Sequence, residues 1–195
     1  IIPTLFRIMK APSVMEKYLL ERDGQLDFYK VFLPRVDPGL NSDEILADSN
    51  DGVINGNLLE FKLHITDLNA VLFQCIKYLS ALRIKGKPVP ANILIVDLNA
   101  ASLWRYASAA YLSAIEIPYS GGASKDNSGF VGGEAEEVLH YDRPLDAERV
   151  IAILKENRHT KIRIDENCIV GWATSFYKAV PMARKEDFLG DDTGK

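Results

Sequence analysis

The chain has 195 residues, 47% of them hydrophobic, and a formal net charge of −4. That is long enough for one well-buried core plus a smaller appendage, and no apolar run reaches the roughly 20 residues a membrane-spanning helix needs. The only two cysteines, Cys75 and Cys168, exclude a disulfide framework and a four-cysteine metal site, so a cytoplasmic setting is expected. Ile1 stands where a start Met would, which leaves room for a longer natural protein around this segment.

In chain order, residues 4–11 read as a short helix stopped by Pro12. Ser13 and Glu16 fit a capping box for a second helix, with Met15, Tyr18 and Leu19 as a buried stripe and Asp23-Gly24 as its end. Residues 26–36, L-D-F-Y-K-V-F-L-P-R-V, are rich in aromatic and branched side chains. They fit extended chain or a short helix ahead of Asp37-Pro38-Gly39.

The most informative stretch is 49–62, S-N-D-G-V-I-N-G-N-L-L-E-F-K. Asn55-Gly56 between apolar residues signals a two-residue hairpin turn, because both turn positions need positive φ. The register follows: Ile54 opposite Asn57, Val53 opposite Leu58, Gly52 opposite Leu59, and Asp51 opposite Glu60. Two carboxylates facing each other across a hairpin repel, and a cation bound between them is a natural reason to keep both. Residues two apart on a strand share a face. Glu60 and Lys62 therefore point one way, and Leu59, Phe61 and Leu63 point the other way into a core. Carboxylate oxygens suit a hard cation such as Mg2+, and a neighbouring lysine can orient water, deprotonate it when in its amine form, or offset phosphate charge as the ammonium.

Asp67 or Thr66 can cap a helix to about residue 85, with Leu68, Val71, Leu72, Cys75, Leu79 and Leu82 at helical spacing. Gln74 and Tyr78, four apart, project side by side at the edge of that stripe. Residues 91–98 form a continuous apolar run expected as a strand covered on both faces, with 102–106 pairing beside it. Between 71 and 105, Lys77, Arg83, Lys85, Lys87 and Arg105 face one acid, Asp97; they form either a basic patch suited to phosphate or a solvated helix end. Trp104, Arg105 and Tyr106 could stack on bases or simply pack. Residues 119–133 carry Gly121, Gly122, Gly129, Gly132 and Gly133 and read as a loop without a phosphate-binding glycine motif. Further on, residues 137–141 suggest a strand. Asp146 caps a helix over 147–157, and Asp165 or Asn167 caps one to 177. His140 and His159 lack metal-ligand spacing, and His64 is expected as a surface residue.

Asp51, eight intervening residues and then Glu60-Phe61-Lys62 resemble the PD-(D/E)xK nuclease superfamily, with Asn50 where the family name has Pro. Gln74 and Tyr78, on the helix after that strand, resemble the Gln-x-x-x-Tyr signature of its RecB-like members. The resemblance covers about residues 40–107. It implies an α/β fold of the restriction-endonuclease type, with a mixed central sheet flanked by helices. The expected division is a nuclease-like core over 1–119, a Gly-rich loop over 120–133 and a small, mostly helical extension over 134–195. The resemblance further implies Mg2+ or Mn2+ held by Asp51, Glu60 and the Phe61 backbone carbonyl, with Lys62 and Gln74 completing the catalytic set and Glu16 or Glu21 as an additional acid. Its activity would be DNA phosphodiester hydrolysis, as an endonuclease with methyltransferase and target-recognition domains fused or associated in a restriction-modification system. A RecB-like exonuclease or repair nuclease without an iron-sulfur cluster, and a non-catalytic nucleic-acid-binding module, are the alternatives. No membrane partner is expected.

Overall fold

In the computed structural model, residues 17–41, 52–119, 129–162 and the isolated position 173 are described. The expected helices over 4–11 and 165–177, the Ser13–Glu16 capping box, Asp51 and most of the glycine-rich loop lie outside them.

The first described helix, α1 (Glu21–Val36), corrects the expected break at Asp23-Gly24. Gly24 does not end a helix; it lets α1 approach the sheet, because a Cβ there would lie 2.6 Å from Leu98 Cδ1. Tyr18 and Leu19 precede this helix, and Leu19 is largely exposed rather than buried. The open choice for 26–36 resolves to helix. Phe28, Tyr29, Phe32 and Leu33 recur at 3.6-residue spacing and all are buried, so tertiary burial overrides the weak helical preference of aromatic residues.

The hairpin forms with the expected register. Strands β1 (Val53–Ile54) and β2 (Asn57–Lys62) pair Val53 with Leu58 and Ile54 with Asn57. The Leu59 amide donates to the Gly52 carbonyl at 2.6 Å, which carries the ladder one step further. Asn55 and Gly56 take φ of 47° and 71°, the left-handed values that a type I′ turn requires.

Helix α2 (Leu68–Ile84) then crosses to strand β3 (Asn92–Asp97), which lies parallel to β2. Its start is fixed by Asp67, whose carboxylate accepts the Ala70 amide at 3.0 Å. Every residue of β3 is buried, as expected for a strand covered on both faces. Strand β4 (Ser102–Ala107) returns antiparallel, followed by a short 3-10 turn (Ser108–Tyr111) and one turn of helix, α3 (Leu112–Ile115). Strand β5 (Glu137–His140) completes a mixed five-stranded sheet in the order β1-β2-β3-β4-β5, and helix α4 (Pro144–Lys155) follows.

Residues 137–155, expected within a helical extension, thus supply an edge strand and a core helix. On one face of the sheet, α1 and α4 bury Leu59, Phe61, Leu94, Val96, Leu103 and Leu139. On the other, α2 buries Leu58, Ile93 and Ile95. The hairpin tip binds α4 directly. Asn55 Nδ2 donates to the Leu154 carbonyl at 3.0 Å and Asn57 Nδ2 to the Ile153 carbonyl at 3.3 Å. These are carbonyls in the last turn of the helix, where the regular ladder runs out; that of Ile153 also accepts the Glu156 amide at 3.2 Å. Amide side chains about a hundred positions away in sequence therefore cap α4.

Candidate metal and phosphate site

Strand alternation and the crossover to α2 build the site. Leu59 and Phe61 are anchored in the α1/α4 core, which sends Glu60 and Lys62 to the α2 face as expected. There Lys62 Nζ donates to Glu60 Oε1 at 2.6 Å. From α2, Gln74 Nε2 donates to the same oxygen at 3.1 Å. The side chains of Glu60 and Lys62 are only 24% and 28% exposed, so this ion pair is partly desolvated while still reachable from solvent.

Glu21, in the first turn of α1, belongs to the same electrostatic group. Burial pushes its carboxyl above the usual range; the nearby Lys62 ammonium opposes that shift and the Glu60 charge adds to it. Burial pulls the Lys62 ammonium down, but the hydrogen bond to Glu60 and the charges of Glu60 and Glu21 leave it above its ordinary value. Lys62 is therefore held protonated at neutral pH and acts as a donor and counter-charge rather than as a base. Beneath the pair, fully buried Cys75 has its thiol driven well up, by burial first and by the Glu60 charge second, so it is an inert part of the floor.

The Phe61 side chain is core, and only its backbone can reach the site. The carbonyls of Gly56 and Lys62 bond across to β3. Alternation along the strand turns the Phe61 carbonyl the other way, toward the β1 edge where Gly52 is the last described partner. Among the expected ligands, Glu60 and the Phe61 carbonyl are thus available on this side of the hairpin, and Asp51 lies outside the described residues. Among the described residues no group of three His, Cys, Asp or Glu side chains gathers as a metal cluster. The available donors are all oxygen and sit beside a compensating ammonium, which suits a hard divalent cation that keeps several waters.

Other expected contributors go elsewhere. Tyr78 is half-buried and packs with Val53 against the α2 core. Three of the five basic residues are engaged by neighbours. Arg83 is buried within 3.6 Å of Glu116, Lys77 lies over the Phe73 ring at 4.8 Å, and Arg105 is drawn between Glu136 and Glu137. Trp104 and Tyr106 pack in the α2 core rather than presenting stacking faces. His64 is exposed, as expected, and His140 Nδ1 lies 3.2 Å from Ser102 Oγ. Of the two acids that the resemblance offered, Glu21 is the one whose carboxyl feels Lys62 and Glu60, and Glu16 lies outside the described residues. A separate open cavity of about 390 Å3, lined by Asn92, Arg105, His159 and Lys161 among others, lies at the opposite end of β3.

No family model matches the chain, and no significantly similar curated protein or solved structure is found. Among the described residues no helix is long and apolar enough to cross a membrane.

Proposed function

We propose that the chain is a metal-dependent deoxyribonuclease domain that hydrolyses DNA phosphodiester bonds, acting as an endonuclease. One observation carries the reading: three of the described motif side chains, Glu60, Lys62 and Gln74, meet at a single carboxylate oxygen. An ordinary solvated Glu-x-Lys strand face would not draw in a glutamine from the crossover helix, nor the charge of Glu21.

Glu60, the Phe61 carbonyl and Asp51 would hold Mg2+ or Mn2+, with Glu21 as a nearby acid. The ion supplies Lewis-acid polarisation of the phosphate and a more acidic water. The chain's own residues do the rest. Lys62, kept as an ammonium, offsets charge building on the phosphoryl oxygens and orients the attacking water. The buried Leu59 and Phe61 fix the strand, so Glu60 and Lys62 enter the reaction already placed. The hydrogen bond from Gln74 to Glu60 also supports a second reading within the same chemistry, an exonuclease of the Gln-x-x-x-Tyr type.

Closed circular plasmid and linear duplex, each incubated with Mg2+ and with chelator, separate these readings. Nicking and linearisation of the circle is expected for the endonuclease; loss of linear DNA alone supports the exonuclease. No cleavage of either substrate with Mg2+ or Mn2+ would leave a binding module. The restriction-modification setting, with methyltransferase and target-recognition partners, belongs to the endonuclease branch of this proposal.

A further inference from the structure

Two donors from different elements converge on one atom of Glu60. Lys62 reaches Oε1 from two residues along the strand, and Gln74 reaches it from α2. Among the described residues, Oε2 takes no hydrogen bond. A carboxylate oxygen that accepts two such donors has both lone-pair directions engaged. A cation gripping both oxygens of Glu60 would have to displace at least one donor, whereas a cation on Oε2 alone displaces neither.

We propose that Gln74 is a positioning residue that makes Glu60 a one-oxygen ligand and so biases the site toward small octahedral cations and against Ca2+. The proposal rests on the reading of Glu60 as a metal ligand. Mg2+ keeps near-ideal octahedral geometry with several waters and takes one oxygen per carboxylate, whereas Ca2+ accepts six to eight ligands and gains from bidentate carboxylates. With Lys62 alone on Oε1, one lone-pair direction stays open to a cation; the Gln74 amide, planted on a packed helix, is the donor that closes it. Its action is through Glu60 rather than on DNA.

The test uses the full chain without DNA, titrated calorimetrically with MgCl2, MnCl2 and CaCl2 in separate runs. Wild type, Gln74→Met and Glu60→Gln are compared, with melting temperatures recorded for each. The methionine keeps length and apolar stem but removes the donor, and Gln74→Ala replaces it where the methionine variant melts early. Loss of an outer-shell partner typically costs about 10–100-fold in metal affinity. For Gln74→Met the expected result is Mg2+ and Mn2+ binding weakened about tenfold with Ca2+ binding weakened far less or tightened, moving the Mg2+/Ca2+ ratio by about threefold or more. A merely structural role would weaken all three ions together. A ratio that moves by less than about threefold, in a protein whose binding still depends on Glu60, overturns the role of Gln74 and leaves the metal site standing. Wild type that binds none of the three ions overturns both.

Discussion

The two ends of strand β2 carry polar groups that the fold treats in opposite ways. At the tip, Asn57 is fully buried and its side chain is spent on neighbours: Nδ2 serves the carbonyls of Ile54, Asn55 and Ile153, and Oδ1 accepts from Asn92. These groups are neutral, satisfied and closed to solvent, which is how a buried polar network contributes specificity without a charge to desolvate. Three and five residues further along, Glu60 and Lys62 are charged, partly exposed and joined to each other, with Gln74 and the Glu21 charge drawn in. Charges left half-desolvated at the end of a rigid strand contribute little to stability. Their arrangement is suited to chemistry, while the tip is suited to holding the fold.

That contrast can be broken most sharply at the charged end. Lys62→Met is expected to lower Mg2+-dependent cleavage by about a thousandfold, within the range of several kcal/mol for lost charge stabilisation and water orientation. Its melting temperature should stay within a few degrees of wild type. A variant that loses stability rather than turnover would assign Lys62 to the scaffold.

The tip should show the reverse. Gly56 has φ of 71°, and a Cβ there would sit 1.8 Å from the Arg158 carbonyl oxygen. Gly56→Ala should therefore cost at least about 3 kcal/mol from combined strain and overlap, seen as a melting point lowered by about 2–4 °C per kcal/mol, with the metal affinity of the folded fraction unchanged. Asn57→Leu follows with about 2 kcal/mol, because it takes the side-chain donor from the Ile54 carbonyl and strands the Asn92 amide in the core. A shift in metal affinity without a shift in melting would erase the distinction between the two ends.

A smaller effect is expected on the β5 side. Glu137 accepts from Arg149 Nε at 2.9 Å and from Arg105 Nε at 2.8 Å. Its carboxyl is lowered to about 2, by the Arg149 hydrogen bond first, against burial, and then by Arg105. A depressed folded-state value stabilises the protein above the unfolded carboxylate pKa, near 4.5, and that contribution is lost as pH falls toward 2. Unfolding free energies from denaturant titrations between pH 6 and pH 2.5 should fall for wild type by on the order of 1–2 kcal/mol more than for Glu137→Gln. Parallel pH curves would show that the ion pairs contribute nothing to folding.

The parts of this molecule legible in the sequence are those set by local chemistry. Asn55-Gly56 fixed the hairpin register because only a few residues accept positive φ at both turn positions, and Asp67 marked the start of α2 through its own side chain. Alternation placed Glu60 and Lys62 on one face before any packing was known. The rest depends on distant partners. Glu21–Val36 is helical because Phe28 and Phe32 find Phe61 and Tyr141 in the core, and Gly24 reads as a stop signal until Leu98 is seen against it. Residues 137–155 join the core through Leu139, Val150, Ile151, Ile153 and Leu154, and Asn55 and Asn57 bond to the end of that helix from about a hundred positions earlier, a pairing no window of sequence contains. Two members of the expected basic stretch were illegible for the same reason: Arg83 and Arg105 pair with Glu116, Glu136 and Glu137, all far along the chain.

The most direct measurement is Mn2+ binding followed by electron paramagnetic resonance, comparing wild type with Glu60→Gln at matched melting temperature. Wild type should deplete the free-ion signal in a saturable manner, and Glu60→Gln should leave it at the level of buffer. Equal depletion by both proteins, or none by wild type, would contradict a divalent-ion site built on Glu60 and with it the hydrolytic chemistry proposed for this strand.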